Sequence, residues 1–229
     1  MPGISKISIM YKGEKLNSIS HLVGSVFALT GLILLVVMAF LQGDPWKIAS
    51  LSIYGATLLL VYLSSTLYHS FKGRTKAVFR TLDHLSIYLL IAGTYTPLTL
   101  VTLRGGWGWS LFITIWGLAL VGIFLELFSK KRLKLITILI YISMGWLVMI
   151  AIGPLLKSMS PLGTTALVVG GIFYTSGIFF YLAKDRIPHS HGIWHLFVMA
   201  GSLSHFLTML SILYSENELL PSVTQALTL

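Results

Sequence analysis

Seven stretches of this chain run for about 20 residues with almost no charge, and each is closed off by glycine, proline or charged residues. They cover approximately residues 17–41, 46–70, 82–103, 107–128, 133–155, 161–182 and 188–214. Crossing the hydrocarbon core of a bilayer takes about 20 apolar residues in a helix. Backbone groups in lipid must be paired within their own segment, which favours helices over open strands. The pattern therefore predicts an all-α integral membrane protein, a single seven-transmembrane helix bundle over residues 1–229. The first run is too long for the roughly 7–15-residue apolar core of a signal peptide, and is expected to be a retained span. No linker, low-complexity stretch or second domain stands out.

Composition agrees with the pattern. The chain is 55% hydrophobic and only 10% charged, with a mean hydropathy of +0.86. A soluble domain averages roughly 25% charged residues, so too little polar surface is present here to face water. The absence of cysteine rules out disulfides and thiolate metal sites. A formal net charge of +9 would ordinarily raise nucleic acid as a partner. The basic residues, however, are confined to short loops between apolar runs, so membrane lipids are the expected partners and nucleic acid is not.

Those loops also set an expected orientation. Of the 16 Lys and Arg residues, Lys47, Arg104 and Lys157 fall on one side of the bundle and the other 13 on the opposite side. The richly basic side is cytoplasmic by the positive-inside rule. The N-terminus is then cytoplasmic and the C-terminus outside, as an odd number of spans requires, in a multi-pass protein of the cell (plasma) membrane.

Ionisable residues inside spans are costly and mark functional sites by default. His69 ends the second span, Asp83 opens the third, and His191 and His195 open the seventh, so all four fall at one depth near the cytoplasmic face. His191 and His195 stand four residues apart, on one helical face about 6 Å apart along the axis, where two imidazoles can share a metal ion. Ser65 and His69 have the same spacing. A third histidine from a neighbouring helix would complete a three-histidine set with a position left for water or substrate. Asp83 could hold that water.

The remaining candidates read as architectural. His84 points about 100° away from Asp83 on a helix, His189 belongs to a loop, and His205 lies roughly 15 Å below His195. Glu14, Asn17 and His21 share a face and are expected to brace the end of the bundle. Glu126 is expected to pair with Lys130, Pro97 to kink the third span, Trp107 and Trp109 to sit in an interfacial belt, and Gly170 and Gly171 to allow close helix packing.

Together, Glu14-x-x-Asn17-x-x-x-His21, Ser65-Thr66-Leu67-Tyr68-His69, Leu82-Asp83 running to Pro97, and His191-x-x-x-His195 resemble the hemolysin III branch of the progestin and adipoQ receptor family. The resemblance spans essentially the whole chain, with the motifs in the family's order. It implies seven transmembrane helices and a zinc ion near the cytoplasmic face. His69, His191 and His195 would be its ligands, with Asp83 reaching it through water and Ser65 close by. That family in turn resembles alkaline ceramidases, which set Ser, Asp and three His around a lipid amide. The short loops leave no domain for a protein hormone. The expected function is a zinc-dependent hydrolase of lipid amide or ester bonds, with Asp83 and Ser65 as catalytic residues and substrate entering from the inner leaflet. The alternatives are a membrane sensor or lipid-homeostasis protein with structural zinc, and a channel or cytolysin. The last requires polar residues along whole helix faces, and charges in mid-span are nearly absent.

The orientation is directly testable. Reporter domains fused after Ser215 are expected to read as external and those fused within residues 130–134 as cytoplasmic; the same side for both would overturn the seven-span topology.

Overall fold

In a computed structural model of the protein, which describes residues 13–129, 134–183 and 186–214, the chain is all-helical, with no strand among the described residues. Lys6, Lys12, Lys130, Lys131, Arg132, Lys184, Glu216 and Glu218, which bear on the expected orientation, lie outside these residues. Among the described residues, eight α-helices make seven segments long and apolar enough to cross a membrane: α1 (Lys15–Gln42), α2 (Pro45–Ser70), α3 (Gly73–Pro97, continued by a π-helical turn, Leu98–Thr102), α4 (Gly106–Phe128), α5 (Lys134–Trp146) joined by a 3-10 turn (Leu147–Ala151) to α6 (Ile152–Ser158), α7 (Pro161–Leu182) and α8 (Ser190–Leu213). The protein is a multi-pass membrane protein. Large apolar side chains such as Phe27, Phe40, Leu41 and Leu162 are left uncovered on the outside, as a surface solvated by acyl chains permits. Leu35, Leu51, Ile115, Met144, Leu155, Met209 and Leu213 fill the interior.

The helix ends follow local chemistry. Gly43 closes α1 in a left-handed conformation (φ 73°), its N–H returning to the carbonyls of Ala39 and Phe40. Asp44 then caps α2, accepting from the N–H groups of Trp46 (2.8 Å) and Lys47 (3.4 Å), with Pro45 in the first turn. Ser160 and Pro161 repeat the device at the start of α7. The third segment departs from the sequence expectation, because α3 begins at Gly73 rather than near residue 82. Its first turns carry Arg74, Lys76 and Arg80, so they form the part of the helix that the apolar pattern could not report.

Pro97 sits inside α3, and the chain answers it with the π-helical turn that follows. Beside it, the fifth segment is interrupted by the 3-10 turn, which frees backbone groups that lipid cannot satisfy. Tyr95 repairs that break: its hydroxyl donates to the carbonyl of Gly145 (3.1 Å) and accepts from the N–H of Val148 (2.7 Å). Trp116 of α4 adds a bond from Nε1 to Thr96 Oγ1 (3.2 Å), tying three helices around the irregular turns.

The seam between α7 and α8 holds one side of the functional site. Gly163, Gly170 and Gly177 of α7 recur at seven-residue steps. A Cβ at these positions would run into Ser211, the His205 ring, and Phe197 with Trp194, all on α8. Gly171, by contrast, faces Trp146 across ordinary contact distance, so of the expected glycine pair Gly170 is the one in the seam. Close approach without side chains is how helices associate where no hydrophobic force separates them from lipid.

Tyr95→Phe leaves the Gly145 carbonyl and the Val148 N–H without their partner. The cost is about 1–3 kcal/mol, seen as a fall in Tm of roughly 2–4 °C per kcal/mol. An unchanged Tm in a thermal-shift measurement in detergent would contradict the repair.

Candidate metal centre

Two helices bring their ends to one point. His69 lies in the last turn of α2, and His191 and His195 lie in the first two turns of α8, which starts after His189 adopts a left-handed backbone (φ 58°). One ligand-capable atom from each of these three histidines falls within 4.8 Å of the others. The Nε2 atoms of His69 and His191 are 3.3 Å apart, and those of His191 and His195 are 3.2 Å apart. His69 and His195 are each 2% exposed.

The far side of each outer ring fixes its tautomer. His69 Nδ1 stands 2.6 Å from Glu14 Oε2, so the hydrogen sits on Nδ1 and the Nε2 lone pair faces inward. His195 Nδ1 lies 3.4 Å from Ser20 Oγ, whose own hydrogen goes to the Asn17 carbonyl (3.1 Å), so Nδ1 is the donor and Nε2 is again the inward lone pair. A His191 Nε2–H can satisfy only one of these two lone pairs. The other then meets no hydrogen, in a buried place where unpaired polar atoms are costly. A cation resolves the conflict. Nitrogens bound tetrahedrally at roughly 2.0–2.1 Å lie about 3.3 Å apart, which matches the separations found here. The donor set therefore fits a metal ion held by three imidazoles.

Around it, Glu14 gathers Asn17 Nδ2 (2.8 Å), His69 Nδ1 (2.6 Å) and Lys76 Nζ (2.9 Å). Burial works against its ionisation, but the bonds from His69, Lys76 and Asn17 outweigh it and hold the carboxyl well below the usual carboxylate range. Lys76 also lies over the Tyr68 ring (5.0 Å). Ser65, one turn from His69 on α2 and 1% exposed, donates to the Asp83 carboxylate. Asp83 stands outside the 4.8 Å set, one hydroxyl removed from the α2 face that carries His69.

The other histidines take separate places. His84 Nδ1 pairs with Glu126 Oε1 (2.8 Å), which gives Glu126 a partner on α3, while Lys130 lies outside the described residues. His205 Nε2 donates to the Leu167 carbonyl (3.2 Å) in the α7–α8 seam. The expected trio on α1 divides: Glu14 and Asn17 are bonded to each other, whereas His21 stacks on His195 with centroids 3.7 Å apart.

Residues 9–206 match the model of a family described as "Haemolysin-III related". The chain belongs to this family. It is 44% identical over 200 residues to "Hemolysin-3 homolog" of Bacillus subtilis, covering 87% of this chain and 93% of that protein. "Hemolysin-3" of Bacillus cereus is 40% identical over 208 residues, 90% of this chain and 94% of that one. More distantly, the human "Monocyte to macrophage differentiation factor" is 27% identical over 181 residues, 76% of this chain and 74% of its own. These relatives agree with the hemolysin III branch of the progestin and adipoQ receptor family.

In this hemolysin III protein Ser20 escaped the sequence, and Glu14 was legible there as a brace but not as the partner of His69. Their i, i+3 relation to Asn17 and to each neighbouring turn was visible. The partners that give them a role, His69 and His195, lie 55 and 175 residues away. A carboxylate behind a metal-binding imidazole orients the ring and raises its basicity. Glu14→Ala is expected to weaken divalent-metal binding by about 10–100-fold in equilibrium dialysis with metal counting. The double variant His191→Ala/His195→Ala should lose binding altogether, and full retention by that pair would rule the centre out.

Proposed function

We propose that this protein is a zinc-dependent intramembrane hydrolase acting on a lipid amide or ester bond. The observation that carries this is the pairing of three convergent imidazole nitrogens with a half-buried Asp83 carboxylate bonded to Ser65. Zinc held by His69, His191 and His195 would supply a Lewis acid that polarises the substrate carbonyl and brings the pKa of water towards roughly 7. Asp83 then accepts the proton of the attacking water and passes it to the departing amine or alkoxide. Ser65 keeps the carboxylate aimed by donating to it, and Glu14 keeps the His69 ring in place. The connection from α2 to α3 is only Phe71 and Lys72, so no extramembrane domain encloses the substrate there and a lipid would enter sideways from the inner leaflet.

A second reading, a sensor or lipid-homeostasis protein in which the metal only pins α2 to α8, draws on the deep burial of His69 and His195. The two readings part at Asp83. Asparagine can still accept from Ser65 but cannot take a proton. Asp83→Asn is therefore expected to keep its zinc and its Tm while losing roughly 10²–10⁴-fold in turnover. The assay is fatty-acid release from ceramides, acyl amides and phospholipids in liposomes. Wild-type protein with full zinc that releases no more than Asp83→Asn on any of these substrates favours the sensor.

A further inference from the structure

Two consecutive residues of α1 grip the His195 ring. Ser20 meets its edge at Nδ1. His21 lies flat on its face, with ring centroids 3.7 Å apart and planes inclined by only 23°. The other two metal-site rings stand steeply to His195, His69 at 65° and His191 at 59°, with centroids 5.0 and 4.7 Å away. His21 supplies no atom to the convergent set, yet at 3% exposure it is as deeply enclosed as His195 at 2%.

His21 is itself clamped. The Tyr62 ring stands at right angles to it (83°, centroids 5.0 Å apart), and the Tyr62 hydroxyl donates to Ser202 Oγ (2.8 Å) on α8. Tyr62 belongs to a buried polar face of α2, with Ser50, Tyr54, Ser65 and His69, each no more than 3% exposed. Room for its ring comes from Gly24, one turn along α1 from His21, where a Cβ would strike it.

Between two uncharged aromatic rings a near face-to-face sandwich is the poor arrangement, and offset or edge-on pairs at wider centroid separations are preferred. A bound divalent ion reverses that preference. It draws electron density out of the imidazole that holds it, and an electron-poor ring is attracted to the electron-rich face of its neighbour as a cation is to a π system. The stack also opposes rotation of His195 about its Cβ–Cγ bond, which the 3.4 Å contact at Nδ1 restrains only loosely.

We propose that His21 is a positioning residue of the metal centre: stacked on His195, it fixes the plane of that ligand and stabilises the positive charge that a bound divalent ion places on the ring. The role rests on the three-histidine centre and is the same whether or not that centre hydrolyses a lipid.

The test titrates cobalt(II) into the metal-free full chain in lipid nanodiscs, where the visible absorption of the ion reports its ligand geometry. His21→Leu fills the space without a π face, and His21→Phe restores the face. His21→Leu is expected to bind cobalt about 3–10-fold more weakly with shifted visible bands, and His21→Phe to return both towards wild type. The rise in Tm on adding cobalt should shrink in His21→Leu alone. Equal affinity and spectrum in wild type and His21→Leu would overturn the role. So would a His21→Phe as weak as His21→Leu. A metal-free Tm that falls in His21→Leu as far as the cobalt-loaded one assigns His21 to packing and sinks the proposal too. Wild type that takes up no cobalt overturns the centre itself, and His21 with it. None of these measurements involves turnover, so failure of the hydrolase reading leaves them intact.

Discussion

Two imidazole lone pairs aimed at a third nitrogen little more than 3 Å away can be met by only one hydrogen, a conflict that a cation held among them would resolve. Most of the architecture at this end of the bundle can be traced to that constraint. It demands that each ring present the same edge inward, so each must be held from behind: His69 by Glu14, His195 by the start of α1. Those supports in turn need α1 docked against both α2 and α8, with Lys76 of α3 closing the other side of Glu14. The centre joins four helices although only two of them supply histidines.

The bilayer imposes the second condition, that every departure from helical bonding be repaired by a neighbour. Tyr95 does so for the break between α5 and α6, and the Ser202 hydroxyl bonds to both Tyr62 and Tyr174 so that neither phenol is stranded. A soluble protein could hand such groups to solvent. Here side chains must replace it, which explains why hydroxyl residues recur on buried faces that apolar packing alone would have filled with leucine.

Much of this was legible in the sequence because lipid forces a coarse signal. Runs of apolar residues count the spans, and Asp44-Pro45 and Ser160-Pro161 mark where two of them begin. The histidine set was legible because His191 and His195 share a helical face and because span ends sort residues by depth. Where the signal failed, it failed for physical reasons. The start of α3 is basic, so hydropathy placed the helix too late. Glu14 and His21 both looked like braces on one face of α1. A rotation of a few tens of degrees decides which of them meets Nδ1 of His69 and which lies flat on His195, and no periodicity resolves that angle. The polar face of α2 was hidden because tyrosine and serine scarcely lower the hydropathy of a span.

The glycine seam of α7 constrains how the protein can move. Its notches are spaced seven residues apart, about 10.5 Å along the axis, and each is filled by a group on α8: Ser211, the His205 ring, and Phe197 with Trp194. Sliding α8 by any fraction of that repeat would drive those side chains against the α7 backbone, so piston motion of α8 is blocked. Whatever passes between the histidine end and the opposite face must travel by tilting or rotation of the α7–α8 pair as one body, which swings His191 and His195 together and keeps the distance between them fixed.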